Sequence, residues 1–238
     1  MTIRICEKWD LPTPVAKHNE WFADWALRKP NEVSRHITMG YHALHEVHSL
    51  GLEIDSVYEP FGGIGAQALI IEDMWPTARH YIRDNSWSAV SYLAENLPRR
   101  GGLVVMGGSS YDPRNFVRAD LQVADVGDLT AVKWTQKPVD AWLKHTFSSG
   151  AKAVILTDIA GRLLHLHRKT YSKALGKPIR WYSDYLLATG EYVKDRFGYT
   201  ATKSFYHHWS SITVFTPESP DPHQIISCPT EPQGLEIL

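Results

Sequence analysis

Residues 57–68 read Val57-Tyr-Glu-Pro-Phe-Gly-Gly-Ile-Gly-Ala-Gln-Ala68. A short apolar run ends on an acid, Glu59, and passes through Gly62, Gly63 and Gly65 into a helix-forming stretch. Glycine reaches left-handed backbone conformations and lets the chain approach a ligand closely. A helix that starts just beyond presents unpaired N–H groups to that ligand. The segment therefore reads as strand, ligand-cradling turn and helix, the opening unit of an alternating α/β fold.

Working outward, the alternation continues. Strands are expected over Ile54–Tyr58, Ala78–Ile82, Phe116–Ala124 and Ala151–Thr157, and helices over Gly65–Trp75, Ser86–Leu97 and Val139–Phe147. Residues 99–115, rich in glycine, serine and proline, read as a long loop with Leu103–Met106 as its one short strand candidate. A fifth parallel strand finds no clear place between Gly161 and Trp181. Trp181–Phe197 reads as a helix, and Thr200–Phe215 as one long or two short strands. Upstream, residues 1–20 form a polar arm holding Pro12 and Pro14; Asn19–Leu50 is helical, interrupted at Lys29-Pro30, with Asn31 as the cap of a second helix. From Pro217 onward, five prolines in 22 residues exclude a regular element and leave an extended strap. The expected fold is α/β: a Rossmann-like, mostly parallel sheet with helices on both faces and an antiparallel C-terminal strand. Its divisions are 1–50 (arm and helices), 51–216 (ligand-binding domain) and 217–238 (tail).

The 238 residues are 43% hydrophobic, enough for one substantial core. A net charge of −1 gives no global steering toward nucleic acid, so any such affinity needs a local patch. Cys6 and Cys228 make neither a disulfide framework nor a zinc pair. The charged start lacks the apolar run of a signal peptide, and no stretch approaches the roughly 20 apolar residues of a membrane span, so a cytoplasmic protein is expected.

Gly63-x-Gly65-x-x-Ala68 also fits the dinucleotide fingerprint, with Asp84 about 20 residues further on. Glu59 and Pro60 depart from it, because a carboxylate there would face a pyrophosphate and favours a cationic ligand without phosphate. The turn resembles the nucleotide-binding motif of class I S-adenosylmethionine-dependent methyltransferases, and Glu-Pro-Phe-x-Gly-x-Gly is closest to the Dam-like adenine DNA methyltransferases. The resemblance implies S-adenosylmethionine as cofactor, held by Glu59, Phe61, Gly62, Gly63 and Gly65. It places Asp84 and Asn85 at the ribose, Asp125 and Val126 at the adenine, and Asp158 with Thr157 where the methyl group is delivered. The strand reading independently sets Glu59, Asp84, Asp125 and Asp158 at strand carboxyl ends, where open parallel sheets bind ligands. Each alone also reads as a cap of the following helix.

Dam-like enzymes carry Asp-Pro-Pro-Tyr at the fourth strand, where this chain has Thr157-Asp158-Ile159-Ala160-Gly161. The aspartate is kept and the prolines and ring are not, which puts base-amine methylation in doubt. Pro14-Val-Ala-Lys17 is faintly similar to the segment that approaches the cofactor's methionine end in these families.

Between Ile159 and Ser183 no acid occurs, while Arg162, Arg168, Lys169, Lys173, Lys177 and Arg180 are interleaved with His165, His167, Tyr171 and Trp181. That composition suits a nucleic-acid backbone with unstacked bases, or else a solvated helix face. Alternation sets Phe205, His207 and Trp209 opposite Tyr206, His208 and Ser210, as packing groups or as the border of a site. His42, His45 and His48 lack further ligands for zinc. The expected function is methyl transfer to a nucleic acid or other anionic substrate. A non-catalytic binding module on the same fold and a nicotinamide-dependent oxidoreductase remain open.

Overall fold

The computed structural model describes residues 30–63, 65, 67–97, 102–124, 136–157, 182–207, 210–217 and 223–227. In chain order they form α1 (Pro30–Ser49), β1 (Ser56–Glu59), α2 (Ala68–Met74), β2 (Arg79–Asp84), α3 (Trp87–Asn96) and β3 (Leu103–Gly107). A 3-10 turn at Pro113–Asn115 leads to β4 (Leu121–Ala124), α4 (Gln136–Phe147), β5 (Ala153–Thr157), α5 (Tyr182–Phe197), β6 (Thr200–His207), β7 (Ser210–Thr216) and β8 (Gln224–Ser227). The eight strands make one sheet in the order β3-β2-β1-β4-β5-β7-β6-β8. β1 to β5 pair in parallel, β7 runs antiparallel to both β5 and β6, and β8 lies parallel to β6.

Strand side chains alternate between two covered faces. On one, Val57, Leu121, Val123, Ala153, Ile155 and Val214 meet Met39, Ala43, Leu44 and Val47 of α1 and Ile70 and Ile71 of α2. On the other, Val154, Leu156, Ala201 and Phe215 meet Trp142, Leu143 and Phe147 of α4 and Ala188 and Val193 of α5. All five residues of β5 are buried, which is why Ala-Val-Ile-Leu-Thr is apolar without alternation. At the amino end of the sheet, Asp120 joins the halves: one carboxylate oxygen accepts the N–H groups of Asp55 and Ser56 and the Ser56 hydroxyl, and Lys152 pairs with the other. Burial pushes the Asp120 carboxyl up, but those bonds and the Lys152 charge outweigh it and leave it lowered.

The expected α/β sheet with an antiparallel C-terminal strand is present, with three differences. First, Leu103–Gly107 is a full strand beside β2, so the fifth parallel strand lies inside the stretch read as a loop. Its glycines serve close packing: a Cβ on Gly102 would meet the Ala78 carbonyl at 2.7 Å, and one on Gly107 the Trp87 ring at 3.0 Å. Second, β4 spans only Leu121–Ala124, because Phe116 still caps the 3-10 turn through its bond to Pro113. Third, the proline-rich tail does contain a regular element, β8. An edge strand bonds on one side only, and residues 223–227 hold no proline. Smaller shifts occur at α1, which begins at Pro30 rather than beyond Asn31, and at α2, which begins at Ala68 rather than Gly65. Thr200–Phe215 resolves into the two strands β6 and β7.

His223 fastens the tail. Its Nε2 lies 2.8 Å from the Ser204 hydroxyl, which in turn bonds Thr213 at 2.7 Å, and its ring packs where Gly190 of α5 lacks a side chain. Burial lowers the His223 pKa from 6.5 to about 4. The folded state therefore binds fewer protons than the unfolded state as pH falls, and stability is lost below about 6.5. We expect folding stability to drop by about 1–2 kcal/mol between pH 7 and 5. Replacing His223 with Gln should flatten that part of the urea-denaturation pH profile; an unchanged slope would refute the assignment.

Candidate functional site

In an open parallel sheet the ligand crevice lies at the carboxyl ends of the strands, where strand order reverses. Here that point is β1, flanked by β2 on one side and β4 on the other. The turn after β1 is built by backbone bonds. Gly62 N–H donates to the Arg83 carbonyl at 2.8 Å, Gly65 N–H to Gly62 at 2.8 Å and Ala68 N–H to Gly65 at 3.0 Å. Gly63 and Gly65 have φ of 53° and 80°, conformations that delay the helix to Ala68. A Cβ on Gly63 would meet nothing within 4 Å, so its face is open toward a ligand.

Asp84, at the end of β2, ties this turn to its neighbours. Its Oδ2 accepts Gly63 N–H at 2.9 Å, its Oδ1 accepts Ser86 N–H at 2.8 Å, and its carbonyl accepts Gly108 N–H at 3.0 Å. Ser86 in turn caps α3, its hydroxyl accepting from Ala89 N–H. Asn85 is exposed beside it. Ser110 donates to the Pro60 carbonyl and Asn115 Nδ2 to that of Ser109, so the connection after β3 is laced to the turn after β1.

Glu59 behaves differently from its sequence reading. Its carboxylate is 2% exposed, and Oε2 lies 2.7 Å from His80 Nε2 of β2. An acid so enclosed does not stand bare in the path of a pyrophosphate, so Glu59 cannot by itself exclude a dinucleotide. Phe61 is half-buried and packs on Tyr111 and Trp142. Thr157 is buried, and its hydroxyl donates to the Ala124 carbonyl at 3.1 Å, tying β5 to the end of β4.

Asp125 follows β4, the neighbour of β1, rather than the strand beside β2, and Asp158 follows β5. Gly107 and Gly108 occupy the end of β3 next to Asp84. Asp125, Val126, Asp158, Arg162, Arg168, Lys169 and Lys173 lie outside the described residues, as do Lys17, His208 and Trp209. The structure thus brings Glu59, Phe61, Gly62, Gly63, Gly65, Asp84 and Asn85 to one end of the sheet. His42 stacks on Phe205, with ring centroids 5.6 Å apart, and among the described residues no His, Cys, Asp and Glu group could hold a metal ion.

Sequence reading missed His80, Arg83 and Trp87. His80 shares strand parity with Asp84, a signal that could have paired it with Glu59. Arg83, 7% exposed, donates to the Gly107 carbonyl at 2.5 Å and to Met106 Sδ at 3.3 Å. Burial pushes the neighbouring Tyr58 phenol up, more than Arg83 and Ser110 pull it down. Trp87, the first residue of α3, is 75% exposed and lies against Gly107.

No protein-family model matches this sequence, and no curated protein sequence does either. Solved structures do share its fold. Magnesium protoporphyrin IX methyltransferase from Synechocystis, with bound S-adenosylmethionine, superposes at a TM-score of 0.54 with 15% identity, covering 87% of this chain and 96% of that one. The methyltransferase domain of bacterial CtHen1 gives 0.50 and 16%, covering 76% and 96%. An O-methyltransferase family protein from Burkholderia thailandensis gives 0.51 and 12%, covering 90% of this chain and 62% of that chain. The fold is that of the class I, Rossmann-like methyltransferases.

The turn itself is testable. A Cβ on Gly65 would lie 2.7 Å from Leu93 in addition to the strained φ, whereas Gly63 carries the φ penalty alone. Gly65→Ala should cost about 2–4 kcal/mol and Gly63→Ala about 1–2 kcal/mol in urea denaturation. Equal costs would show that the Leu93 contact yields freely.

Proposed function

We propose that this chain is an S-adenosylmethionine-dependent methyltransferase, with the cofactor over the carboxyl ends of β1 to β3 and the methyl acceptor in the crevice between β1 and β4. The observation that carries the reading is Asp84. Each of its carboxylate oxygens accepts one backbone N–H and keeps lone-pair capacity for a further donor, as a pair of ribose hydroxyls would require. The residues around it fit the same ligand: Gly63 leaves open space, and the exposed face of Trp87 offers a flat base a stacking surface. The shared fold supports the reading, since its solved members include one with bound S-adenosylmethionine.

The cofactor supplies a methyl group already activated on a positively charged sulfur. What remains for the protein is to hold the acceptor in line and keep it there, and positioning of that kind accounts for large rate factors. Thr157 fixes the Ala124 carbonyl, and so the end of the strand from which Asp125 departs. In sequence, Asp125 and Val126 follow β4, the neighbour of β1, and Asp158 follows β5, one strand further out. Asp125 and Asp158 are the acids we assign to orienting the acceptor nucleophile.

Calorimetry with S-adenosylhomocysteine tests the pocket. Asp84→Ala should weaken binding by about 1.5–3 kcal/mol, the range for hydrogen bonds to a charged group. Affinity for a nicotinamide dinucleotide, with none for S-adenosylmethionine or its product, would replace this reading with that of an oxidoreductase.

The acceptor class rests on the basic residues after β5. Four phosphate contacts from Arg162, Arg168, Lys169 and Lys173 would give a slope of log K against log salt of roughly −3 for a single strand. Reversing Arg168 and Lys169 to Glu should flatten the slope and leave cofactor affinity unchanged. A salt-independent affinity, or none, would remove nucleic acid as the acceptor.

A further inference from the structure

Three aromatic rings from three different elements meet at the carboxyl end of the sheet. Phe61 comes from the turn after β1, Tyr111 from the connection after β3, and Trp142 from α4, the helix that follows β4. Ring centroids are 5.3 Å apart for Phe61 and Tyr111, 5.2 Å for Phe61 and Trp142, and 6.4 Å for Tyr111 and Trp142. Phe61 and Tyr111 are part-exposed, while Trp142 is 4% exposed. The Trp142 Nε1–H is shielded from solvent and has no hydrogen-bond partner among the described residues. A buried indole N–H ordinarily finds an acceptor, so one without a partner calls for an explanation. Phe61 follows the carboxyl end of β1, and Trp142 shares a buried cluster with Ala124, the last residue of the neighbouring β4, against which Phe61 and Tyr111 pack.

We infer that Phe61, Tyr111 and Trp142 form the acceptor subsite, built for a flat heteroaromatic ring. The ring stacks on Phe61 or Tyr111, and its ring nitrogen or carbonyl oxygen accepts from Trp142 Nε1–H. This rests on the methyltransferase reading above. An aliphatic acceptor would leave the indole N–H unpaired. An anionic head would press charge against the negative faces of three rings. Because Nε1 is shielded and the other two rings are part-exposed, the ligand enters as Phe61 and Tyr111 separate.

The test uses the full chain, 15N-labelled and saturated with S-adenosylhomocysteine, with tryptophan indole N–H signals followed by NMR. The probes are benzimidazole, which carries a ring-nitrogen acceptor, and indole, a ring of the same shape without one. The Trp142 signal, identified by its loss in Trp142→Phe, should move downfield with benzimidazole and not with indole. Benzimidazole affinity should fall about 3- to 10-fold in Trp142→Phe, the value of one hydrogen bond, with cofactor-product affinity unchanged. Tyr111→Leu supplies a second reading if the tryptophan variant does not fold, with the same fall expected. A chain that binds S-adenosylhomocysteine but shows a stationary Trp142 signal overturns the subsite. A chain that does not bind it overturns the cofactor reading and the acceptor role together, while the benzimidazole shift without cofactor product still reports whether the rings bind. A single-stranded oligodeoxyadenylate that moves the same signal at lower concentration assigns the ring to nucleic acid; no shift with it assigns the ring to a small molecule.

Discussion

The arrangement of the ligand-binding end depends on one carboxylate. Asp84 accepts backbone N–H groups from the turn after β1 and from the start of α3, and its carbonyl accepts a third from the end of β3. Three chain segments that approach from different directions are thus fixed to one residue. Hydrogen bonds to a charged acceptor are about twice as strong as neutral ones, and burying the glycine N–H groups without them would cost about 1–3 kcal/mol each. The left-handed bend at Gly63, which glycine adopts without strain, is held in place by this anchor. A ligand arriving at the open side of Gly63 meets donors and acceptors already in place, so little ordering remains to oppose binding.

A second layer of polar contacts holds the first. His80 against Glu59, Arg83 against the Gly107 carbonyl, and Ser110 against the Pro60 carbonyl all lie beneath or beside the turn. Each holds a polar group close to the turn in a fixed position. Glu59 shows how this changes a chemical argument. As a sequence letter it is a charge facing the ligand, and in the fold it is an interior partner of an imidazole.

The turn at 57–68 and the alternation of strands and helices were legible because each rests on local rules: glycine conformations, apolar runs and helix stops. What escaped was set by distant contacts. Leu103–Met106 reads only as a short strand candidate within a loop until β2 supplies its pairing, and leaving it out of the strand count displaced every strand end downstream. Asp125 consequently belongs to the neighbour of β1. β8 escaped for a related reason, since its partner β6 lies some 20 residues away and nothing within Gln-Ile-Ile-Ser announces it. The rings of Phe61, Tyr111 and Trp142 are 50 and 81 residues from first to second and first to third in the chain, so no motif scan joins them.

The Asp120 clasp carries a kinetic implication. β1, β2 and β3 pair with near neighbours in sequence, whereas β4 reaches β1 only after a loop of 64 residues has closed. Loop closure is an entropic cost met before any contact repays it, so the first half of the sheet can assemble while the second is still searching. Asp120 arrives with β4 and at once accepts three hydrogen bonds from Asp55 and Ser56 at the start of β1. It therefore acts as the latch that sets the register of the two halves during folding, at the end of the sheet farthest from the crevice whose width that register determines.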